Sequence, residues 1–492
     1  MNIANLYTLF KVISGEGWTP LLFIVSLATT IGTAVPVGYC LGSLNTPAAF
    51  IKDWVLELYI QRHDFEFSEN GLELVFASIV SIFLIGGIFG SFFGAYCCDK
   101  FGRKGCLNLS AALLVVSGVF VTFCREGKSL EMIFISRFLA GIASALIYTA
   151  HPMYLLEIAP PKLRGSVAVF TAFGVTAGIC VGQIFSFNIV FGTEEYWQYA
   201  LGFYAVFVII CFLPTYWYPE SPRWRYLIKH QYDIAEKELV RLRGTGPEAQ
   251  ECVKSEIAEM QSASKSTEEK SSFLSVLRNS DLLMPLILVC SFQICQQLSG
   301  INAIFFYSVP IFTKAGFSSS AAEWMNFGAG FLNMTVSGLG PFLMSKFNRR
   351  PLMLISCVGC FISLICLAFA LNYIDLANWL PPACIVFITT FITFFQLGLG
   401  PIPYFIGSEL FEVKPRPVAM SMGSLFSWFG NFLIGMCFPI LQGVWGAFVF
   451  LPCSIVCVYC FLLTYRYLPE SRGRDAADIQ VYMRNGFHSK LS

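Results

Sequence analysis

The sequence predicts an all-α membrane protein of twelve transmembrane helices in two pseudo-symmetric six-helix bundles. Three observations carry this. Of 492 residues, 56% are hydrophobic and only 13% charged, about half the charge of an ordinary soluble domain. The mean hydropathy is +0.65, and the apolar residues fall in blocks of about 20, the length that crosses ~30 Å of hydrocarbon as a helix. The charged motifs at the ends of these blocks occur twice. A membrane barrel is excluded, because its strands would be short and alternating.

Twelve blocks serve as spans. Six lie near 20–42, 73–97, 106–124, 131–151, 166–190 and 199–218, and six near 282–308, 322–344, 352–371, 382–408, 418–440 and 446–466. They divide the chain into an N-terminal tail (1–19), a first bundle (20–218), a linker (219–281), a second bundle (282–466) and a C-terminal tail (467–492). The first 19 residues lack a cleavable signal pattern, so the first span is expected to be an uncleaved anchor. Net charge is +1 and says nothing of a partner, but its distribution does. Lys100, Arg103 and Lys104, Lys162 and Arg164, Lys346, Arg349 and Arg350, and Lys414 and Arg416 crowd alternate short loops. The loops near 191–198, 372–381 and 441–446 carry no Lys or Arg. This positive-inside bias places both tails and the linker in the cytoplasm, and a plasma-membrane location is expected.

The repeat is internal. "DKFGRK" at 99–104 matches "SKFNRR" at 345–350, "EIAPPKLRG" at 157–165 matches "ELFEVKPRP" at 409–417, and "PESPRW" at 219–224 matches "PESRGR" at 469–474. The order is kept and the offsets are 246, 252 and 250 residues. Parallel halves of this kind are one arrangement of secondary transporters, with a binding site between them near the midplane. In the linker, "KHQYDIAEKELVRLRGTG" is rich in helix formers, so short helices are expected there.

Chemistry of other classes is not signalled. No Walker pattern, metal-spaced His/Cys cluster or nucleophile–base pair stands out. An enzyme, a cofactor, a metal site and a nucleic-acid partner are therefore not expected. The eighteen cysteines fall mostly in apolar spans and read as small hydrophobes. The glycosylation patterns at Asn108 and Asn333 lie on the cytoplasmic side and inside a span, so neither is expected to be used.

With these motifs placed, the chain resembles the sugar porters of the major facilitator superfamily, and among them the facilitative hexose transporters, from about residue 20 to 475. "GSFFGAYCCDKFGRKG", "SRFLAG", "YLLEIAPPKLRG", "PESPRW", "LRGT", "QQLSGINAIFFYS", "GLGPIPYF", "SELFEVKPRP", "SWFGNF" and "PESRGR" carry the resemblance, in order and at the matching helix ends. It implies a small-molecule sugar substrate, a lipid bilayer around the protein, alternating access, and a monomer sufficient for transport. It also implies that the repeated charges form the lock of the outward-open state. The expected latch is Asp99, Arg103, Lys104, Glu157, Arg164, Glu220 and Arg223 in the first half, with Arg349, Arg350, Glu409, Arg416, Glu470 and Arg472 in the second. Opposite charges at facing helix ends would bridge the halves. The family usually has an acidic residue and Gly where Ser345 and Asn348 stand, so the second-half latch is expected to be the weaker. Gly90 and Gly94 have the spacing of close helix contact.

The seventh span raises its own question. "FQICQQLSGINAIFFYS" at 292–308 sets Gln293, Gln296, Gln297 and Ser299 on roughly one side of a helix. A buried amide without a partner is costly, so these groups must face a wet cavity or the bundle interior. Amides offer donors and acceptors without charge, which suits a neutral polyhydroxylated ligand, and "LSGIN" is a place for the helix to break. The resemblance matches Gln183, Gln296, Gln297, Asn302, Asn333 and Asn431 to sugar-coordinating positions, Tyr404 and Trp428 to cavity aromatics, and Phe306 and Tyr307 to an outer gate. Pro401 and Pro403 in "GLGPIP" would bend the tenth helix into a second gate. Gln396 and Tyr404 stand where glucose transporters usually have Glu and Trp, and "QIC" at 293–295 stands where they read "QLS". The preferred hexose or polyol is left open, glucose and fructose included.

Coupling is read from what the spans lack. Proton-coupled sugar porters carry Asp after the "GY" of the first span, and here Cys40 follows. No Asp or Glu lies in the interior of a span as drawn, Glu157, Glu323 and Glu409 sitting near ends, and His151 is the one His within a span. Downhill uniport is the expectation. A proton-coupled symporter using His151 and a non-transporting sugar sensor are the alternatives. The short tail after 466 counts against a sensor.

Overall fold

The protein, seen in a computed structural model, is described over residues 17–44, 47–63, 68–187, 189–265, 273–305, 318–474 and 476–483. Among these residues the structure is helical and has no strand. Twelve spanning segments follow the sequence order. The first consists of α1 (Pro20–Thr29), a π-turn (Thr30–Ala34) and α2 (Val35–Gly42). Pro36 cannot donate to the carbonyl four residues back, and the helix widens there into the π-turn. The helix α3 (Ala48–His63) lies between the first two spans.

The second and third spans are two helices that meet end to end at Gly102 within Glu69–Thr122, labelled together α4. It turns at Gly102, whose φ of +85° and ψ of 174° suit a residue without Cβ. A Cβ there would also lie 2.4 Å from Glu220 Oε2. The fourth span, α5 (Leu130–Ile158), has 29 residues. At 1.5 Å per residue it is about 43 Å long, so it outruns the hydrocarbon and carries Glu157 beyond it. Gly90 lets α4 approach α5 closely, since a Cβ would stand 2.7 Å from Ile142 O, and Gly94 faces Thr149 and Ser421. The fifth span is α6 (Arg164–Ala168) with α7 (Phe170–Phe185), and the sixth is α8 (Trp197–Gly202) with α9 (Tyr204–Phe212).

Between the halves the chain forms α10 (Pro222–Leu227), α11 (Tyr232–Arg243), α12 (Pro247–Lys265) and α13 (Phe273–Arg278). The first three gather around Leu239, Val253 and Met260, while Val276 of α13 packs in the core of the second half. The buried pair Arg243–Glu256, at 2.7 Å, clamps α11 to α12, and Arg243 Nη1 also donates to Ile158 O at the end of α5. This ties the linker to the first half.

The second half holds α14 (Ser280–Leu298), α15 (Ser319–Gly338), α16 (Gly340–Lys346), α17 (Arg349–Asn372), α18 (Leu380–Leu397), α19 (Ile402–Leu410), α20 (Arg416–Trp445) and α21 (Phe450–Tyr467), followed by α22 (Ala476–Met483). α15 and α16 together make the eighth span. α14 breaks at Gly300, which has φ +90°, and the chain is helical again over 301–305. The tenth span breaks between α18 and α19, where Gly398 leaves the helical region and Pro401 caps the next helix. The halves meet along α20, which packs on α4 and α5, and along α7 against α15.

A polar cavity between the two halves

The cavity follows from the two helix breaks. Two amides of α14 meet carbonyls at the interruption of the tenth span: Gln296 Nε2 donates to Gly400 O at 2.5 Å and Gln293 Nε2 to Pro403 O at 2.8 Å. Gln297 Nε2 donates to Ser427 Oγ of α20 at 2.9 Å. Beyond the Gly300 break, Asn302 Nδ2 donates to Gln297 Oε1 at 2.7 Å and to Asn431 Oδ1 at 3.0 Å. Gln396 Nε2 donates to Asn333 Oδ1 at 2.6 Å. The amides thus form a neutral web that orients itself before any ligand arrives.

The web encloses a cavity of about 60 Å³, room for about four to six waters at ~10–15 Å³ each. Eight of the residues singled out by sequence line it: Gln296, Gln297, Asn302, Asn333, Gln396, Tyr404, Trp428 and Asn431. Gln183 stands outside the lining, with Oε1 against Gly330 of α15. Gln293 also lies outside the lining and serves the tenth-span break. Phe306 and Tyr307 fall outside the described residues. Pro401 and Pro403 sit at the start of α19. The first half supplies Leu41, Tyr148, Ala172, Val175, Thr176 and Ile179. Tyr148, Thr176 and Ser427 are the polar lining residues that the sequence reading missed. For Tyr148 the available signal was a single phenol in the small-residue stretch "GIASALIYTA".

Some buried polar atoms lack a partner among the described residues: Gln183 Oε1, Gln293 Oε1, Gln396 Oε1 and Trp428 Nε1. Two of these, Gln396 and Trp428, belong to the cavity wall. Unpaired buried groups cost about 1–3 kcal/mol each, so a ligand that pairs them recovers part of that cost. Among the described residues, no Asp, Glu, Lys, Arg or His lines the cavity. His151 is fully buried elsewhere, with Nδ1 2.9 Å from Thr171 Oγ1 and Nε2 3.5 Å from Thr30 Oγ1 at the π-turn. Arg137 donates to Cys40 O at 2.9 Å and lies over the Phe83 ring, 4.4 Å from its centre.

The charged end carries two related clusters, one of which bridges the halves. Arg103 makes a two-pronged bond to Glu157, at 2.9 and 3.2 Å, and Ser221 Oγ donates to the same carboxylate. Arg416 of the second half reaches Glu157 Oε1 at 3.1 Å. Among the described residues this is the ion pair that crosses between the halves. Lys104 N and Ser221 N donate to Glu220, and Lys104 Nζ donates to Tyr218 O. Burial pushes the Glu220 carboxyl above the usual carboxylate range, against the pull of those N–H groups and of Arg103. Asp99 lies 3.8 Å from Arg103.

In the second cluster Arg349 meets Glu409 at 3.0 Å, Ser471 donates to Glu409, and Glu470 accepts from the backbone of Arg349 and Arg350. Arg472 donates to Lys346 O and Ser345 O. Arg164 and Arg223 both approach Glu259 of α12, at 3.7 and 2.5 Å. Most of these charges therefore pair within a half or with the linker, because the short loops hold their partners closer than the opposite half does.

Other contacts join the halves on the way to the cavity. Ser91 Oγ and Ser424 Oγ are 3.0 Å apart, Ser421 Oγ donates to Ser91 O, and Ser166 Oγ donates to Pro341 O. At the opposite end Phe187 stacks on Trp324, with centroids 5.1 Å apart.

Comparison with known proteins agrees with this geometry. The sugar (and other) transporter family model matches residues 25–482. Facilitated glucose transporter member 1 of solute carrier family 2 from Gallus gallus is 32% identical over 475 residues, 96% of this chain and 95% of that protein. Member 3 from Ovis aries is 35% identical over 463 residues, 94% of this chain and 92% of that protein. In fold, the chain matches the proton:xylose symporter XylE bound to 6-bromo-6-deoxy-D-glucose with a TM-score of 0.79 at 22% identity, covering 94% and 98% of the two chains. Against the inward open conformation of XylE from E. coli, at 21% identity and covering 94% and 99%, the score is 0.68. A twelve-span fold, a neutral cavity between its halves and relatives matched along nearly their whole length converge: this chain is a multi-pass membrane protein that belongs to the sugar (and other) transporter family.

Proposed function

We propose that the protein is a facilitative uniporter of a hexose such as glucose or fructose, working by alternating access. The carrying observation is the uncharged web of amides, hydroxyls and aromatic rings that lines the cavity between the halves. Such a wall pairs with the hydroxyls of a neutral polyol and holds no group that would take up a proton near neutral pH. The names of its relatives, facilitated glucose transporters, support the same reading.

The chain's own groups define the steps. The sugar enters from the end opposite the charged loops and engages the α14 amides, the Asn333–Gln396 pair and Asn431. The breaks at Gly300 and at Gly398–Pro401 let half-helices close over it. Release on the charged side requires Arg416 to leave Glu157 and the α4–α20 serines to part. The charged loops face the cytoplasm by their Lys and Arg excess, and the plasma membrane is the expected site of action.

The alternative is proton-coupled symport, and the chemistry of the spans favours uniport over it. His151 is held between two threonines away from the cavity, and Arg137 spends its contacts on a carbonyl and a ring. Uptake of labelled D-glucose and D-fructose into proteoliposomes, with and without an inward proton gradient, decides between them. Saturable uptake that stops at equal concentrations and ignores the gradient is expected. Gradient-driven accumulation would overturn uniport.

A further inference from the structure

The cavity wall holds one aromatic residue that neither the amide pattern nor the family resemblance brings forward. Tyr148 of α5 belongs to the first half and is 5% exposed. Its ring lies flat on Trp428, with centroids 5.1 Å apart and planes at 19°, and takes the edge of Tyr404 at 5.1 Å and 84°. Trp428 and Tyr404 belong to the second half. The three rings hold one another, so the Tyr148 hydroxyl is fixed in place rather than free to swing.

That hydroxyl is poorly used. Tyr404 OH donates to Tyr148 OH over 3.3 Å, against about 2.7–2.8 Å for a well-formed O–H···O bond. The proton of Tyr148 takes no part in that bond. In the same cavity wall the indole Nε1 of Trp428, whose ring is stacked on Tyr148, has no acceptor among the described residues. A stretched bond between two phenols and an unused N–H donor in one buried wall leave bonding capacity for a hydroxyl-bearing ligand.

We infer that Tyr148 is a specificity-determining residue of the cavity, which takes one hydroxyl of a neutral polyol by giving up its long bond to Tyr404. The inference rests on the transport reading above. The ligand hydroxyl accepts from Tyr404 OH and donates to the Tyr148 oxygen, so one stretched bond becomes two of ordinary length. The Tyr148 proton and the Trp428 N–H then serve a neighbouring ring or hydroxyl oxygen. A ligand lacking that hydroxyl leaves both phenols with only their stretched bond. Sites built to bond a hydroxyl reject the analogue without it far more strongly than apolar pockets reject a size change. Because the two phenols come from opposite halves, the same hydroxyl bridges the halves.

The test uses the full-length protein in proteoliposomes, with D-glucose, D-fructose and the monodeoxy analogues of each as competitors. For the wild type, one deoxy analogue is expected to compete about 10- to 100-fold more weakly than its parent. Tyr148→Phe keeps the stack and removes the hydroxyl. It is expected to raise the KM of the parent sugar with kcat nearly unchanged, and to bring that one analogue within about 3-fold of the parent. The ranking of the other analogues should stay as in the wild type. Tyr404→Phe is expected to blunt discrimination against the same analogue, and it decides the matter alone if Tyr148→Phe does not fold. If the wild type discriminates no single position, or if the folded variants keep the wild-type ranking in full, Tyr148 only packs and the inference fails while the transport reading stands. If neither D-glucose nor D-fructose is taken up or competes, the transport reading itself fails.

Discussion

The two charge clusters are copies of one design, yet they finish differently. Arg103, Glu157 and Ser221 correspond in the repeat to Arg349, Glu409 and Ser471, and in both trios the Arg and the Ser donate to the Glu, two-pronged from Arg103 and single from Arg349. The copies diverge at a fourth partner. Glu157 also takes Arg416 from the other half and is fully buried, whereas Arg164, the repeat partner of Arg416, goes to Glu259 of the linker. The Glu409 side chain keeps 11% exposure. Their turns differ as well: Gly102 holds φ +85°, while Asn348 has φ −75° and simply precedes α17. One carboxylate thus serves both the packing of its own half and the closure between halves. Duplication supplies the motif, and local sequence decides which copy becomes the contact.

The sharpest way to break this comparison is to neutralise both carboxylates in turn. Glu157→Gln leaves Arg103 and Arg416 buried without their counter-ion, and a loss of about 3–5 kcal/mol is expected. Glu409→Gln should cost about 1–3 kcal/mol, since its site is wetter and holds one guanidinium. Thermal unfolding of the purified variants, with hydrogen exchange over residues 409–421, would read both. Equal losses would show that the copies do equivalent work.

Exchanging the turn residues comes next. Gly102→Asn forces a side chain into a backbone region reserved for Gly and against Glu220, at a cost of about 1–3 kcal/mol. Asn348→Gly should stay within about 1 kcal/mol, and the difference in melting temperature is the observable. Smaller still is Arg164→Gln, whose side chain is 22% exposed and 3.7 Å from Glu259; at most about 1 kcal/mol is expected, with uptake nearly unchanged. The smallest effect belongs to Asp99→Asn. That carboxylate is 39% exposed and 3.8 Å from Arg103, so a change of about 0–0.5 kcal/mol is expected. A large loss at Asp99 would move the weight of the first cluster away from Glu157.

Much of this molecule was legible in its sequence. Spans are written as long apolar blocks, the repeat as matched motifs, and the cavity as amides that have no other reason to sit in hydrocarbon. What escaped has physical reasons. A single glycine makes the whole turn between the second and third spans, and hydropathy does not register how tight that turn is. The seven residues from Gln293 to Ser299 include one amide, Gln293, that supports the α18–α19 break instead of the cavity, and helical spacing cannot separate the two roles. Arg164 and Arg223 pair with Glu259 because of where α12 packs, which no local pattern encodes. Tyr148 looked like one more aromatic residue in a chain with forty-nine Phe and twenty Tyr.

The absence of charge from the cavity wall has an electrical consequence. Amides, phenols and an indole keep the same charge whether the cavity is empty or full. When the halves rock with a neutral solute between them, that wall carries no net charge through the membrane field. A potential of 100 mV acts with about 2.3 kcal/mol on each elementary charge moved across the membrane, and finds nothing in this cavity to act on. Under the uniport proposed above, the direction of flow is left to solute concentration, and a cell can change its voltage without reversing the traffic.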